Sequence, residues 1–379
     1  MVSGLSSARY AWKGFPVYGE HGGNVYAAAD ELGLRENEVM DFSASINPLG
    51  ISARVKQEIR KQIDSLCRYP DPGVQALTRD LAVIHSVDPG SIVCGNGSME
   101  IIHLIARVIR PRRVLIPVPT FTEYERAVAR TGLRGQTVYV ALQEKNNFDI
   151  DPAAFINALG DAVPCDAAFL CNPNNPTGGL LKKEDVLRIA SAAQSAKCYL
   201  VVDEAFMDFV PGESVVQEVK DNPYLIVVRS MTKFYAFPGL RLGYGVFPKG
   251  IAAAVKQYAE PWSVNSLAQA AGRAAIRDTG YAAQTMQLIA REKAFLEAGF
   301  KKLGVAYVPS KVNYYLLRFR DAASVARQLK SAGILVRECS DFRGINDNTY
   351  IRAAVRSHQH NSEFLKQLSR LRQTIKGGE

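Results

Sequence analysis

Short apolar runs alternate with longer amphipathic segments through the middle of the chain. Each run is typical of a buried strand, and in the segments between them apolar residues recur at helical spacing. Because helices between strands return the chain to the same end of a sheet, this order predicts a mainly parallel, seven-stranded α/β sheet with helices on both faces. The predicted strands are 91–94, 114–118, 136–142, 167–171, 199–203, 224–228 and 243–247, and the predicted helices are 98–109, 122–131, 152–159, 182–196 and 251–258.

The two ends of the chain predict a second, smaller α+β unit. A long helical pattern, 266–303, leads into it, and short strand and helix patterns follow. We therefore expect an N-terminal arm and helix that join the small domain (1–45), a large domain (46–275) and a C-terminal small domain (276–379). In the small unit the predicted strands are 305–308, 313–318, 335–337 and 350–354, and the predicted helices are 25–34, 322–331 and 362–375.

Composition narrows the class of protein. The 379 residues are 47% apolar and 22% charged, and no apolar run reaches the length of a membrane span. Six cysteines without a Cys-x-x-Cys pair, and a start that does not resemble a signal peptide, predict a reduced, cytoplasmic protein without a metal site. The net charge of +9 contains no long basic block, so we expect a small anionic substrate rather than a nucleic-acid or membrane partner.

Chemistry-bearing residues follow the predicted strands, where functional loops of parallel sheets lie. Gly97 and Ser98 open a helix, whose first N–H groups can bind an anion. Phe121 can stack on a flat ring or belong to the core, and Tyr124 is the second choice for the stacking role. Asp203 ends an apolar strand, and a carboxylate there is costly unless it has a partner.

A lysine follows the apolar run 224–228. Lys233 has Ser230 before it and Arg241 after it, across a Pro-Gly turn. A lysine that forms a Schiff base must lose its proton, and burial near other cations lowers its pKa. A hydroxyl and a guanidinium beside it would suit a phosphate, because arginine donates two parallel hydrogen bonds.

These segments resemble those of the fold-type I (aspartate aminotransferase-like) enzymes, which use pyridoxal 5'-phosphate. The loop 172–178, Asn-Pro-Asn-Asn-Pro-Thr-Gly, is the most specific of them. The resemblance implies a fold-type I architecture with Lys233 as the residue that binds the cofactor covalently. It implies that Asp203 keeps the ring nitrogen protonated, so that the ring can accept electrons. The remaining implied cofactor contacts are Gly97, Ser98, Ser230 and Arg241 at the phosphate, Phe121 on the ring face and Asn175 at the phenolic oxygen.

Two subfamilies resemble the chain along most of its length: L-threonine-O-3-phosphate decarboxylase of cobalamin biosynthesis and histidinol-phosphate aminotransferase. The first matches better, from His-Gly-Gly-Asn at 21–24 and Asp-Phe-Ser-Ala-x-Ile-Asn-Pro-Leu-Gly at 41–50 to Pro-Trp-Ser-Val-Asn at 261–265. Many aminotransferases have tyrosine where Phe206 stands. The resemblance implies decarboxylation of L-threonine O-3-phosphate to (R)-1-amino-2-propanol O-2-phosphate, with aminotransfer, or decarboxylation of L-serine O-phosphate, as alternatives.

The same resemblance implies substrate contacts. Arg352 would bind the substrate carboxylate and Arg337 its phosphate, with Asn175 beside them and His21 closing over the phosphate. A single arginine is more often part of a surface ion pair, so the prediction of a substrate site depends on both arginines being present. Tyr69 matches a tyrosine that reaches the cofactor phosphate of the neighbouring subunit, which implies a homodimer with composite sites.

Overall fold

A seven-stranded sheet dominates the computed structural model, which describes residues 21–133, 135–160 and 163–376. The predicted arm, 1–20, lies outside the described residues. The strand order is β2-β8-β7-β6-β5-β3-β4, and every neighbouring pair is parallel except the two that β8 makes. This confirms the predicted α/β fold class. The strands are β2 (Ile92–Asn96), β3 (Arg113–Val118), β4 (Gln136–Ala141), β5 (Ala167–Cys171), β6 (Tyr199–Asp203), β7 (Leu225–Ser230) and β8 (Leu242–Val246).

Helices cover both faces of this sheet, because its strands are apolar on both sides. In β6, Leu200 and Val202 belong to one core, whereas Val201 belongs to the other. This alternation is the consequence of successive side chains pointing to opposite faces. The first core packs against α3 (Gln75–His85), α6 (Pro152–Leu159), α7 (Lys183–Ser195) and α9 (Ser266–Ala275), and the second against α4 (Ser98–Ile109), α5 (Glu123–Ala129) and α8 (Lys249–Tyr258).

A separate antiparallel sheet, ordered β12-β13-β10-β9, forms near the C-terminus. A third apolar core joins it to three helices. A two-stranded parallel sheet, β1 with β11, ties the start of the chain to this unit. The domain boundaries at 45 and 275 stay a prediction. The elements are α1 (Val25–Leu32), β1 (Met40–Asp41), α2 (Ala53–Gln62), α10 (Thr279–Leu303), β9 (Ala306–Tyr307), β10 (Tyr314–Arg318), α11 (Ala322–Ser331), β11 (Ile334–Leu335), β12 (Arg337–Glu338), β13 (Tyr350–Ala354) and α12 (His358–Lys376).

Two boundary predictions were wrong. The helix predicted over 266–303 is two helices, because the side chain of Asp278 accepts a hydrogen bond from Tyr281 N and starts α10 afresh. The strand predicted over 335–337 is divided, because β11 pairs with β1 whereas β12 pairs with β13. Local apolar spacing does not show which strand a two-residue segment will pair with, and it also did not predict α2 and α3.

Candidate active site

The predicted site residues meet at one edge of the large sheet. Asp203 ends β6 and Ser230 ends β7, its parallel neighbour. Because β8 is antiparallel, Arg241, just before it, lies at the same edge. A cleft of about 250 Å³ opens there. Its lining includes His21, Ser98, Phe121, Asn175, Asp203, Ser230, Lys233, Arg241, Arg337 and Arg352; Gly97 lies directly behind Arg241, and Tyr69 does not line the cleft.

Two glycines shape one end of the cleft. Gly97 has a φ of +81°, and a Cβ at this position would lie 2.6 Å from Arg241 Nη2. A Cβ on Gly243 would lie 2.2 Å from Ser98 N, so this glycine lets β8 approach the start of α4. The first N–H groups of α4, which helix geometry leaves unused, therefore lie beside the Arg241 guanidinium. This arrangement can hold a phosphate.

Ser230 belongs to the same end of the cleft. Its Oγ is within 2.9 Å of Thr232 Oγ1, and both side chains are buried and line the cleft. Sequence reasoning missed Thr232, although this residue stands between the two predicted residues Ser230 and Lys233 in the sequence. Two hydroxyls next to a guanidinium add donors for an anionic oxygen.

Asp203 is a buried carboxylate with two hydrogen-bond donors. Tyr124 Oη donates to Oδ2 over 2.7 Å, and Ala205 N donates to Oδ1 over 3.0 Å. Burial raises the pKa of Asp203 to about 6 despite these bonds. Tyr124 is fully buried and stacks on Phe169, with ring centroids 4.9 Å apart. Tyr124 therefore serves Asp203, while Phe121, the first choice for ring stacking, lines the cleft.

Lys233 has the low basicity expected of a nucleophilic amine. Burial, together with the nearby charges of Arg352 and Arg241, lowers its pKa to about 8. The main chain at this position is fixed, because Asn47 N donates to Lys233 O over 3.0 Å. At pH 7 about a tenth of such an amine is neutral.

The loop after β5 presents Asn175 to the cleft. Asn174 braces this loop: its Nδ2 donates to Pro119 O over 3.0 Å, and its Oδ1 accepts from Thr120 Oγ1 over 2.7 Å. Asn175 Oδ1 accepts from Arg352 Nη1. This bond orients the amide so that its Nδ2, the donor group, is left for a ligand.

Arg337 and Arg352 stand side by side. They are register partners on the antiparallel strands β12 and β13, so their side chains share one face of the small sheet. Arg337 Nη2 donates to both carboxylate oxygens of Asp341 over 2.7 Å, and Arg352 Nη2 donates to Ser43 O over 2.7 Å. Burial lowers the pKa of the Arg352 guanidinium. Two adjacent guanidinium groups form a site for anionic groups of a ligand.

His21 and Tyr69 occupy different surroundings. His21 lines the cleft, with Nε2 2.9 Å from Glu123 Oε1 and about half of its side chain exposed. Tyr69 is 81% exposed and stacks on Trp262, with ring centroids 4.8 Å apart. The predicted contact of Tyr69 with a neighbouring subunit stays a prediction.

A family model, aminotransferase class I and II, matches residues 37–368. The chain belongs to this family. Threonine-phosphate decarboxylase of Salmonella typhimurium strain LT2 is 39% identical over 352 residues, which cover 92% of this chain and 95% of that protein. Histidinol-phosphate aminotransferase of Symbiobacterium thermophilum is 35% identical, covering 96% of this chain and 98% of that protein. The histidinol-phosphate aminotransferase structure from Clostridium acetobutylicum superposes with a TM-score of 0.82 at 31% identity, over 89% of this chain and all (100%) of that chain.

The cofactor of this family of enzymes is pyridoxal 5'-phosphate, and the cleft suits it. Gly97 and Arg241 leave room and charge for the phosphate. Asp203, a buried carboxylate whose pKa burial raises to about 6, is matched to a ring N–H that would pair with its ionised form. Lys233 is buried in the same cleft with a depressed pKa. These three observations concern the phosphate, the ring nitrogen and the aldehyde, which are the cofactor's distinguishing groups.

Sequence reasoning missed the wall formed by Ser43 and Ser45. Both are buried and line the cleft, within the segment 41–50 that the sequence marked as a subfamily motif without a role for either serine. Over the described part of the chain, no group of three or more His, Cys, Asp or Glu side chains could hold a metal ion. No described helix is long and apolar enough to span a membrane.

Proposed function

We propose that this enzyme decarboxylates L-threonine O-3-phosphate to (R)-1-amino-2-propanol O-2-phosphate and CO2, for cobalamin biosynthesis. The observation that carries the proposal is the pair of register partners Arg337 and Arg352, both buried and both lining the cleft that holds Lys233. A substrate with a phosphate and a carboxylate would place one anion at Arg352 and the other at Arg337, beside the Asp341 carboxylate that Arg337 already binds. The Salmonella relative, named as a threonine-phosphate decarboxylase, supports the choice.

Each residue has a distinct task in this proposal. Arg352 binds the substrate carboxylate, and Arg337 binds the phosphate with His21. Arg352 is braced by Asn175 Oδ1 and Ser43 O, so it can hold the bond from Cα to the carboxylate in a fixed direction. Pyridoxal 5'-phosphate, when bound, supplies a ring that accepts the electron pair left at Cα as CO2 departs.

In this proposal, Asp203 and Lys233 bind and transfer the protons that the reaction requires. Asp203 would hold a proton on the ring nitrogen of the cofactor, because an ionised carboxylate in this buried position is stabilised by a positive partner. Lys233, with a pKa of about 8, is mostly protonated at pH 7 and can deliver a proton to Cα after CO2 has left. Phe121 and Phe206 line the cleft and reduce its contact with water.

Aminotransfer is the second candidate. It is favoured by the Symbiobacterium relative, named as a histidinol-phosphate aminotransferase, which is covered almost completely. The neutral form of Lys233 could also remove a proton from Cα. Phe206 argues for decarboxylation, because it packs edge-on against Tyr314 at 5.0 Å and offers no hydroxyl where many aminotransferases have one.

We also propose a cytoplasmic homodimer with composite sites. The exposed aromatic pair, Tyr69 on Trp262, supports a contact of this surface with a second copy, since large exposed aromatic side chains mark interaction sites. Tyr69 would then reach the cofactor phosphate of the partner. Sedimentation of the wild type and of Tyr69→Ala, with cofactor affinity measured in both, tests this assignment.

The test of the function is product identification. The purified protein, loaded with cofactor, is incubated with L-threonine O-3-phosphate, and the phosphorylated product is followed by mass spectrometry and ³¹P NMR. We expect the wild type to form 1-amino-2-propanol phosphate. In Arg352→Gln the rate of its formation should be at least 100-fold lower. Formation of the 2-oxo acid instead would refute decarboxylation and favour aminotransfer.

A further inference from the structure

Asp341 forms an ion pair with the guanidinium to which the proposed function assigns the substrate phosphate. Arg337 Nη2 donates to both carboxylate oxygens of Asp341 over 2.7 Å, and Arg337 Nη1 donates to Glu338 O. Asp341 lies outside the helices and strands, in the segment that joins β12 to β13. No step of the proposed reaction uses this carboxylate, although it places a negative charge where a second anion is expected to bind.

The ion pair occupies the nitrogen that a phosphate needs. A guanidinium donates two parallel hydrogen bonds through one of two edges, either Nη1 with Nη2 or Nε with Nη2, and both edges include Nη2. Because Nη2 of Arg337 donates to Asp341, a phosphate that binds through either edge must displace the carboxylate. Two anions held at one guanidinium would also repel each other.

Arg337 has other contacts that hold it at the cleft. Its strand, β12, pairs with β13, and its guanidinium carbon lies over the Phe342 ring, 5.2 Å from the ring centroid. Phe342 is buried and lines the same cleft. A cation over a ring face is a favourable contact, and Glu338 O holds Nη1 as well. The arginine can therefore stay in place when the carboxylate moves.

A second cavity offers the displaced carboxylate a place to move to. Asp341 lines this cavity of about 730 Å³ together with Arg126, Arg130 and Arg343. The Asp341 side chain is already 19% exposed, so it is not locked into the core. Cationic side chains around an open cavity favour a carboxylate that turns away from Arg337.

We propose that Asp341 is an internal competitor of the substrate phosphate: its carboxylate occupies Arg337 before the substrate binds, and the phosphate displaces it. The inference rests on the proposed function, which assigns the phosphate to Arg337. Asp341 lowers the affinity for phosphorylated ligands, because only the fraction of molecules in which Arg337 is released can bind them. Before substrate binds, Asp341 offsets the repulsion between the adjacent guanidinium groups of Arg337 and Arg352.

The test compares Asp341→Asn with the wild type and with Asp347→Asn. Asparagine keeps the shape of aspartate without its charge, and Asp347 is an exposed carboxylate of the same segment that accepts hydrogen bonds from Thr349. All three proteins are loaded with cofactor, so that the cofactor phosphate fills its own site. In Asp341→Asn we expect the KM for L-threonine O-3-phosphate and the inhibition constant of inorganic phosphate to fall about 10-fold. Both constants should keep their wild-type values in Asp347→Asn.

A double mutant shows whether the effect depends on the guanidinium. In an Arg337→Gln background, Asp341→Asn should leave both constants within about twofold of those of Arg337→Gln alone, because the carboxylate has no arginine left to occupy. A fall that persists in this background would overturn the proposal, since Asp341 would then act elsewhere.

The sign of the change separates competition from positioning. A higher KM in Asp341→Asn would overturn the proposal and show that Asp341 positions Arg337 for the substrate. An unchanged KM would overturn it as well, and so would an equal fall in Asp347→Asn, which would reflect only the loss of a negative charge. If Asp341→Asn does not fold, Asp341→Ser removes the same charge and should show the same fall.

Failure of the proposed function would be a separate result, because the wild type would then release no CO2. The affinity of the cofactor-loaded proteins for inorganic phosphate can still be measured by titration calorimetry in that case. Tighter phosphate binding in Asp341→Asn than in the wild type and Asp347→Asn would support the competition at Arg337, and equal binding in all three would overturn it.

Discussion

Gly97→Ala tests the phosphate end of the cleft. The φ and ψ of Gly97, 81° and 162°, lie in a region that is essentially restricted to glycine. An alanine there costs about 1–3 kcal/mol in backbone strain. Its Cβ would also lie 2.6 Å from Arg241 Nη2, closer than carbon and nitrogen can approach, so the guanidinium must move.

The displacement of the Arg241 guanidinium should weaken cofactor binding by a predictable amount. Arg241 is the end of a flexible side chain, so it will yield before the backbone of β2 does. Losing one charge-assisted hydrogen bond to the cofactor phosphate removes about 1.5–3 kcal/mol, which weakens cofactor binding about 10- to 150-fold. The Tm of the cofactor-free protein should fall as well, because the strain is present without the cofactor.

The assay is equilibrium titration of the cofactor-free protein with pyridoxal 5'-phosphate, followed by absorbance. Gly239→Ala is the matched control, because it lies two residues from Arg241 and a Cβ there would meet nothing within 4 Å. Wild-type cofactor affinity in Gly97→Ala would refute the assignment of Gly97 and Arg241 to the phosphate. A lower Tm alone would show that Gly97 serves the backbone only.

Two further predictions concern protons. In the cofactor-free protein, burial raises the pKa of Asp203 to about 6, so its ionised form destabilises the fold by about 3 kcal/mol at neutral pH. The free energy of unfolding, measured in urea, should therefore rise as the pH falls from 6 towards 4. Asp203→Asn should abolish this rise. Asp203→Asn should also lower kcat at least 100-fold, and a near-wild-type kcat would contradict its role. The rate of cofactor attachment should increase with pH to a midpoint near 8, where Lys233 loses its proton. Arg352→Gln should move this midpoint upwards, because it removes a positive charge, whereas the exposed control Arg327→Gln should leave it unchanged.

The sheet and the loop positions of the site could be predicted from the sequence because both depend on local patterns. Continuous apolar runs specify strands that are buried on both faces, and residues directly after such strands must lie at one edge of a parallel sheet. The sequence therefore predicted that Asp203, Ser230 and Lys233 lie close to Ser98, which is distant from them along the chain. All four residues line the cleft. The resemblance to a family supplied their roles.

Other features depend on contacts that a sequence pattern does not encode. Tyr124 was a candidate for the ring face, but its hydroxyl donates to Asp203, a bond between α5 and β6 that follows from packing. The pairing of Arg337 with Arg352 required the register of β12 on β13, and β12 has only two residues. Ser45 lies in a motif that the sequence analysis quoted, but only the structure shows that this serine is buried beside the cleft.

The ratio of CO2 released to pyridoxamine 5'-phosphate formed tests the central claim most directly. The cofactor-loaded protein is mixed with excess L-threonine O-3-phosphate in the absence of any 2-oxo acid, and both products are counted per active site. We predict many CO2 molecules per site while the cofactor stays in its aldehyde form. One equivalent of pyridoxamine 5'-phosphate without CO2, recovered by 2-oxoglutarate, would contradict the decarboxylase assignment and establish aminotransfer.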